Sequence, residues 1–297
     1  MKEKKLYAIL NISIILLTLA ITICGAASFN TGRAFNAQNQ YGETIKMWGA
    51  GVYARNSYFK APIFIGSDLT VLLLVVPLLT LNFIKSLKAQ NAENYIESFC
   101  IFCVLLYYSA SLAFGVSYNF LHLAYTGLFG MCFFTACFLC ARLLALQIQF
   151  ENRNEKICSF EFSRGMNIFL ITSGLSLFAA WLPDIISSLL QKKPLALIEV
   201  YTTEITYVLD MGIISPLMFI TFALIKRGKF MGYVFARMIF KLCVIVGVML
   251  PVQTVFQLLA GIFIPLPALI SKVFIFVILA LFAAFFERRL KQQTKYA

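Results

Sequence analysis

Residues 61–84 read APIFIGSDLTVLLLVVPLLTLNFI, and the only charge among them is Asp68. A helix needs about 20 apolar residues to cross the hydrocarbon core of a bilayer. A buried core helix of a soluble protein has a shorter apolar run, about 10–14 residues, so this stretch reads as a membrane span. Seven more stretches have the same character: 6–27, 96–117, 119–141, 166–190, 203–225, 238–262 and 267–286. Apolar residues make up 61% of the chain and charged residues 13%. A soluble domain carries roughly 45–50% and about 25%. The sequence therefore predicts an all-α polytopic transmembrane bundle of about eight spans, with residues 1–297 as a single transmembrane domain. The first span follows Lys2, Lys4 and Lys5 and reads as a retained helix, with a signal peptide as the alternative.

The formal net charge of +12 would suggest nucleic acid in a soluble protein. Here the Lys and Arg residues form short clusters between spans, so no nucleic-acid partner is predicted and the lipid bilayer is the expected surrounding. Placing the N-terminus inside puts 18 of the 25 Lys and Arg residues on the inner side. By the positive-inside rule this predicts an even number of spans with both termini cytoplasmic. The Lys-, Ile-, Phe- and Asn-rich composition is compatible with an AT-rich bacterial genome, so a multi-pass place in a bacterial plasma membrane is expected.

The one long outer segment is the extracytoplasmic loop 28–60. A loop of that length is commonly functional. It is expected to carry a short interfacial helix around 42–58, with Trp48 and Tyr58 anchored among headgroups. The inner loop 142–165 reads as solvated, and residues 283–297 as an amphipathic extension of the last helix.

Ionisable side chains inside a bilayer are costly and mark functional sites by default. At 1.5 Å per residue, Asp68 and Asp210 each lie about 10 Å below the outer boundary of their spans. His122 lies about one turn deep and Lys272 about 7 Å deep. Gln253 and Gln257 share one face of the seventh span. In the inner half only Lys241 is expected to be charged, close enough to the surface to snorkel. The cost thus concentrates near the outer face. The prediction is an outward-facing polar pocket lined by Asp68, Asp210, His122, Lys272 and Gln253, with Tyr53 and Arg55 of the long loop reaching in. Pro77, Pro183, Pro216 and Pro251 would free backbone carbonyls or simply kink their helices.

Cys100-x-x-Cys103 and Cys137-x-x-Cys140 have metal-ligand spacing, but thiolates are costly in hydrocarbon and cysteine packs well in helices. They are secondary metal candidates, and neither a metal nor another cofactor is predicted. There is no phosphate-binding glycine loop, nucleophile elbow or His-Glu-x-x-His motif.

Three groups of residues form a pattern: Gly51-Val52-Tyr53-Ala54-Arg55-Asn56-Ser57 with Gly66-Ser67-Asp68-Leu69 and Pro77-Leu78-Leu79; Tyr118-Asn119-Phe120; and Thr202-Thr203 through Thr206 to Gly212 with Pro216. The pattern resembles an uncharacterised bacterial family of multi-spanning integral membrane proteins. The resemblance implies that Asp68 and Asp210 belong to the pattern and the cysteines do not. It brings no activity with it.

The leading functional expectation is binding or transport of a small polar or cationic solute. One alternative is a membrane-embedded enzyme acting on a lipid-linked or exported substrate, with Asp68 or Asp210 as base and His122 as proton shuttle. The other is a non-catalytic sensor or assembly subunit.

Overall fold

The computed structural model describes the backbone of residues 2–88, 91–152, 158–159, 161–293 and 295–296; the side chains of residues 2–4, 158–159, 268, 271, 272, 293 and 295–296 lie outside the described ones. Among the described residues, seven helices are long and apolar enough to cross a membrane. They are α1 (Lys2–Ala26), α2 (Ala61–Lys88), α3 (Ala92–Gly115), α4 (His122–Asn152), α5 (Arg164–Gln191), α6 (Ile205–Lys226) and α7 (Phe230–Leu259). Residues 266–293 form a further continuous helix, α8. The chain is an all-α bundle with the pattern of a multi-pass membrane protein.

Helix α7 sits at the centre and packs against α2, α3, α6 and α8. Glycines set the closest approaches, as is common where helices pack without a hydrophobic driving force between them. A methyl on Gly66 of α2 would lie 2.6 Å from the Gln253 backbone, and one on Gly247 would lie 2.1 Å from the Ala280 side chain. Both chain ends lie at the same end of the bundle. Tyr7 of α1 bonds Ser98 at 2.9 Å, and Lys291 of α8 pairs with the adjacent Glu97 at 3.0 Å.

Two prolines directly follow widened turns. Residues Val71–Val75 and Asp210–Ile214 are π turns. The Val76 N–H bonds the Val71 carbonyl and the Ser215 N–H bonds the Asp210 carbonyl, each five residues back. Pro77 and Pro216 follow at once. Proline lacks an N–H, and its ring clashes with the carbonyl one turn earlier. A widened turn moves that carbonyl aside. Pro183 and Pro251 lie inside continuous α-helix.

The long loop is not an interfacial helix. Strands β1 (Phe35–Gln38) and β2 (Thr44–Met47) form an antiparallel hairpin, followed by a short 3₁₀ turn at Gly51–Tyr53. The Asn39 carboxamide oxygen accepts from the Tyr41 and Glu43 amides at 3.0 and 2.9 Å, closing the hairpin turn. Trp48 is fully buried and donates its indole N–H to the Ser28 carbonyl at 2.8 Å. Tyr58 donates to the Ala260 carbonyl at 3.0 Å. Both rings fasten the loop to the bundle, and Trp48, fully buried, is not a headgroup anchor. Helix α4 also runs through Asn152, so the first part of the segment read as a solvated loop is helical.

The opposite end of the bundle corrects a second expectation. Lys241 does not snorkel; its side chain is 10% exposed. It pairs with Glu97 at 2.5 Å and with Glu287 at 3.1 Å. Arg237, fully buried, pairs with Glu93 and with Glu97, the latter at 2.8 Å. Lys291 joins Glu97 and Glu287 at 3.0 and 3.3 Å. Each of α3, α7 and α8 supplies two of these residues four apart, so both face one way. Three acids meet three bases, which ties the three helices together at the end that carries the termini.

Candidate functional site: a cavity at Asp210

A cavity of about 470 Å³ lies at the hairpin end, between α2, α3, α5, α6, α7 and α8. It reaches from Asp210 and Tyr107 up to the loop residues Tyr201, Thr203 and Glu204. Its walls are mainly aliphatic and aromatic, with a few polar groups, as in most small-molecule sites.

Helix α3 sets the electrostatics. Successive residues on an α-helix diverge by about 100°, so Tyr107 and Tyr108 face different neighbours. Tyr107 donates its hydroxyl to Asp210 Oδ1 at 2.9 Å. Trp181 of α5 donates its indole N–H to Asp210 Oδ2 at 2.9 Å. The Trp181 ring stacks on Tyr207, with centroids 4.7 Å apart, and Tyr207 donates to Asp184 at 2.7 Å. Both Asp210 oxygens are therefore held by neutral donors. Among the described residues no ion pair joins Asp210 to a lysine or arginine.

Asp210 and the glutamines fall on the cavity wall. Gln253 donates to Ser67 Oγ at 2.7 Å, and Gln257 to the Phe59 carbonyl at 3.1 Å. Lys60 and Glu204, also in the wall, pair with each other. Asp68 and Tyr53 are absent from the wall. They lie behind it, fully buried against each other and Tyr108. In place of the predicted hollow shared by two carboxylates, one carboxylate lies in a cavity and the other behind its wall, against Tyr108. His122 begins α4 with its ring 5.3 Å from that of Tyr118, away from the cavity. Arg55 is exposed on the loop. The Lys272 side chain lies outside those described.

Sequence reasoning missed Tyr107, Trp181 and Tyr207, because a tyrosine or tryptophan in an apolar span carries no charge to mark it. It also missed the cover. Loop 192–204 bonds the hairpin through Asn39 to the Glu199 carbonyl at 2.9 Å and Gln40 to the Tyr201 carbonyl at 3.1 Å. Ser57 donates to the Glu199 carboxylate, and Tyr201 donates to Asn56 Oδ1 at 3.1 Å. Burial pushes the Glu199 carboxyl above its ordinary value, against the lowering effect of the Ser57 hydroxyl and Lys60. Burial likewise raises the Tyr201 phenol.

The cysteine pairs differ in exposure. Cys100 is buried while Cys137 is exposed. Among the described residues no three His, Cys, Asp or Glu side chains converge to hold a metal. In comparisons with known proteins, no family model, no curated protein and no solved structure matches the chain.

Proposed function

We propose that this chain binds a small organic cation in the cavity at Asp210 and transports it across a bacterial plasma membrane. In this reading the hairpin end faces outward, both termini are cytoplasmic, and α8 is the eighth crossing. One observation carries the proposal. Among the described charged residues of the wall, Lys60 and Glu204 neutralise each other, and no described lysine or arginine pairs with the carboxylate of Asp210. A carboxylate held by two neutral donors and walled by tyrosine and tryptophan rings supports recognition of a cation, since aromatic faces attract positive charge. The cavity volume suits a small molecule. The enzyme reading gains less support, because His122 is remote from Asp210.

The test is thermal unfolding of the purified protein in detergent with a series of primary amines, guanidinium compounds and tetraalkylammonium ions. Carboxylates of matched size serve as controls. Members of the cation series should raise the midpoint of the wild type and leave Asp210→Asn unmoved. A series in which no cation acts, or in which Asp210→Asn responds like the wild type, refutes the proposal.

A further inference from the structure

Asp68 lies outside the cavity wall and requires its own account. It is fully buried, and it accepts from the Tyr53 hydroxyl on Oδ2 and the Tyr108 hydroxyl on Oδ1, both at 2.5 Å. The chain leaves room for it: a methyl on Gly25 of α1 would sit 1.6 Å from Oδ2. The groups around it come from four elements. Helix α1 supplies Gly25, with Cys24 beside it; the 3₁₀ turn supplies Tyr53; α3 supplies Tyr108; and α4 supplies Tyr125, next to Tyr53. Among the described residues no lysine, arginine or histidine pairs with Asp68.

A buried carboxylate used only to bolt helices together is normally paired with a cation. The bundle does this at its other end, where three acids meet three bases. Hydroxyl partners differ in one respect: each can donate or accept. When the carboxylate is charged, both tyrosines donate to it. When it is protonated, its new O–H donates to one phenol oxygen, and that phenol turns its own hydrogen to the next group. Tyr53 has such a group in Tyr125, which accepts from the Asn119 carboxamide at 3.5 Å near the hairpin-end start of α4. Both charge states thus keep their hydrogen bonds, which an arginine or lysine partner could not provide.

We propose that Asp68 is a proton-binding site, loaded from the aqueous phase on the hairpin side through Tyr125 and Tyr53. A proton leaves water, an O–H bond forms on the carboxylate, and one negative charge is removed from the core; release reverses these events. This proposal stands whether or not Asp210 binds a cation.

Infrared difference spectroscopy of the full-length protein in detergent tests it directly. The pH is varied from about 4 to about 9, a range that brackets carboxyls displaced by burial. The wild type should show a protonated-carboxyl C=O stretch that grows as pH falls. That component should vanish in Asp68→Asn and change frequency in Tyr53→Phe and Tyr108→Phe. Each Tyr→Phe change should also move the titration midpoint by about one pH unit, the size of one lost hydrogen bond to a charged group. If Asp68→Asn fails to fold, the two Tyr→Phe variants decide, since each removes one oxygen and keeps the ring. A band indifferent to all three changes overturns the proposal. So does an Asp68 band of constant intensity at every pH, which would mark a permanently neutral bolt.

Discussion

Tyr107 and Tyr108 are consecutive residues whose hydroxyls bind different carboxylates, Asp210 on α6 at 2.9 Å and Asp68 on α2 at 2.5 Å. One turn of α3 therefore separates two acidic sites and touches both. A shift of α3 that lengthens one bond must disturb the other, which gives the cavity and the buried carboxyl a direct mechanical link.

That link predicts coupling between ligand and proton. If one proton leaves Asp68 for each cation bound at Asp210, affinity should rise about tenfold per pH unit over the titration range. Calorimetric titrations at several pH values measure the slope. Asp68→Asn should flatten it while binding persists. An equal slope in both proteins would separate the sites energetically.

Tyr107→Phe should weaken cation binding by about tenfold, because a hydrogen bond to a charged group is lost and Asp210 is less firmly aimed. Thermal shifts with the same cation series read this. Unchanged shifts would show that Trp181 alone positions the carboxylate.

Gly25→Ala places a methyl 1.6 Å from Asp68 Oδ2. The helices must separate, and overpacking of this kind costs about 1–3 kcal/mol. The thermal midpoint should fall, and Asp68→Ala in the same chain should recover much of the loss by removing the clashing atoms. A double variant no more stable than Gly25→Ala alone would contradict the packing described for α1 and α2.

Glu97→Gln removes the acid that serves Arg237, Lys241 and Lys291 together. Loss of one partner from a buried ion pair costs about 3–5 kcal/mol. Lys291, 36% exposed, should be far less sensitive; Lys291→Ala is expected to cost about 1 kcal/mol or less. Unfolding in graded denaturing detergent ranks the two, and equal effects would count against the network.

The cover should loosen as pH rises. Burial raises the Glu199 carboxyl in the folded protein, so the folded state holds a proton that the unfolded state has released. Stability from this group is complete below the unfolded carboxyl range and is lost as pH climbs through the raised folded value. The protection factor of the Ser57 amide, its exchange rate referred to the free-peptide rate at the same pH, should therefore fall toward neutral pH, and Glu199→Gln should remove that dependence. The opposite slope would reverse the assignment.

The bundle was legible from the sequence because hydrocarbon length and charge exclusion act on each span separately. Asp210 could be read for the same reason, as an acid flanked by Val208, Leu209 and Met211. Its place relative to Asp68 could not be read. Equal depth along two helices says nothing about rotation around them, and the two acids meet different faces of α3. The ionic network was legible in principle, since Glu93 with Glu97 and Arg237 with Lys241 are like charges four residues apart. Such repeats repel on an isolated helix and point to a complementary helix nearby. The hairpin stayed hidden because its strands are four residues each, too short for alternation to stand out, and Trp48 reads equally well as an interface anchor or a core ring.

The central claim is that Asp210 supplies the charge to which a cation binds. Isothermal titration of the best-stabilising cation against wild type and Asp210→Asn, at one pH and one salt concentration, tests it most directly. The account predicts saturable binding to the wild type at one site per chain and at least about a hundredfold loss in Asp210→Asn, as expected when one partner of a desolvated charge pair is removed. Equal affinity in the two proteins would contradict it.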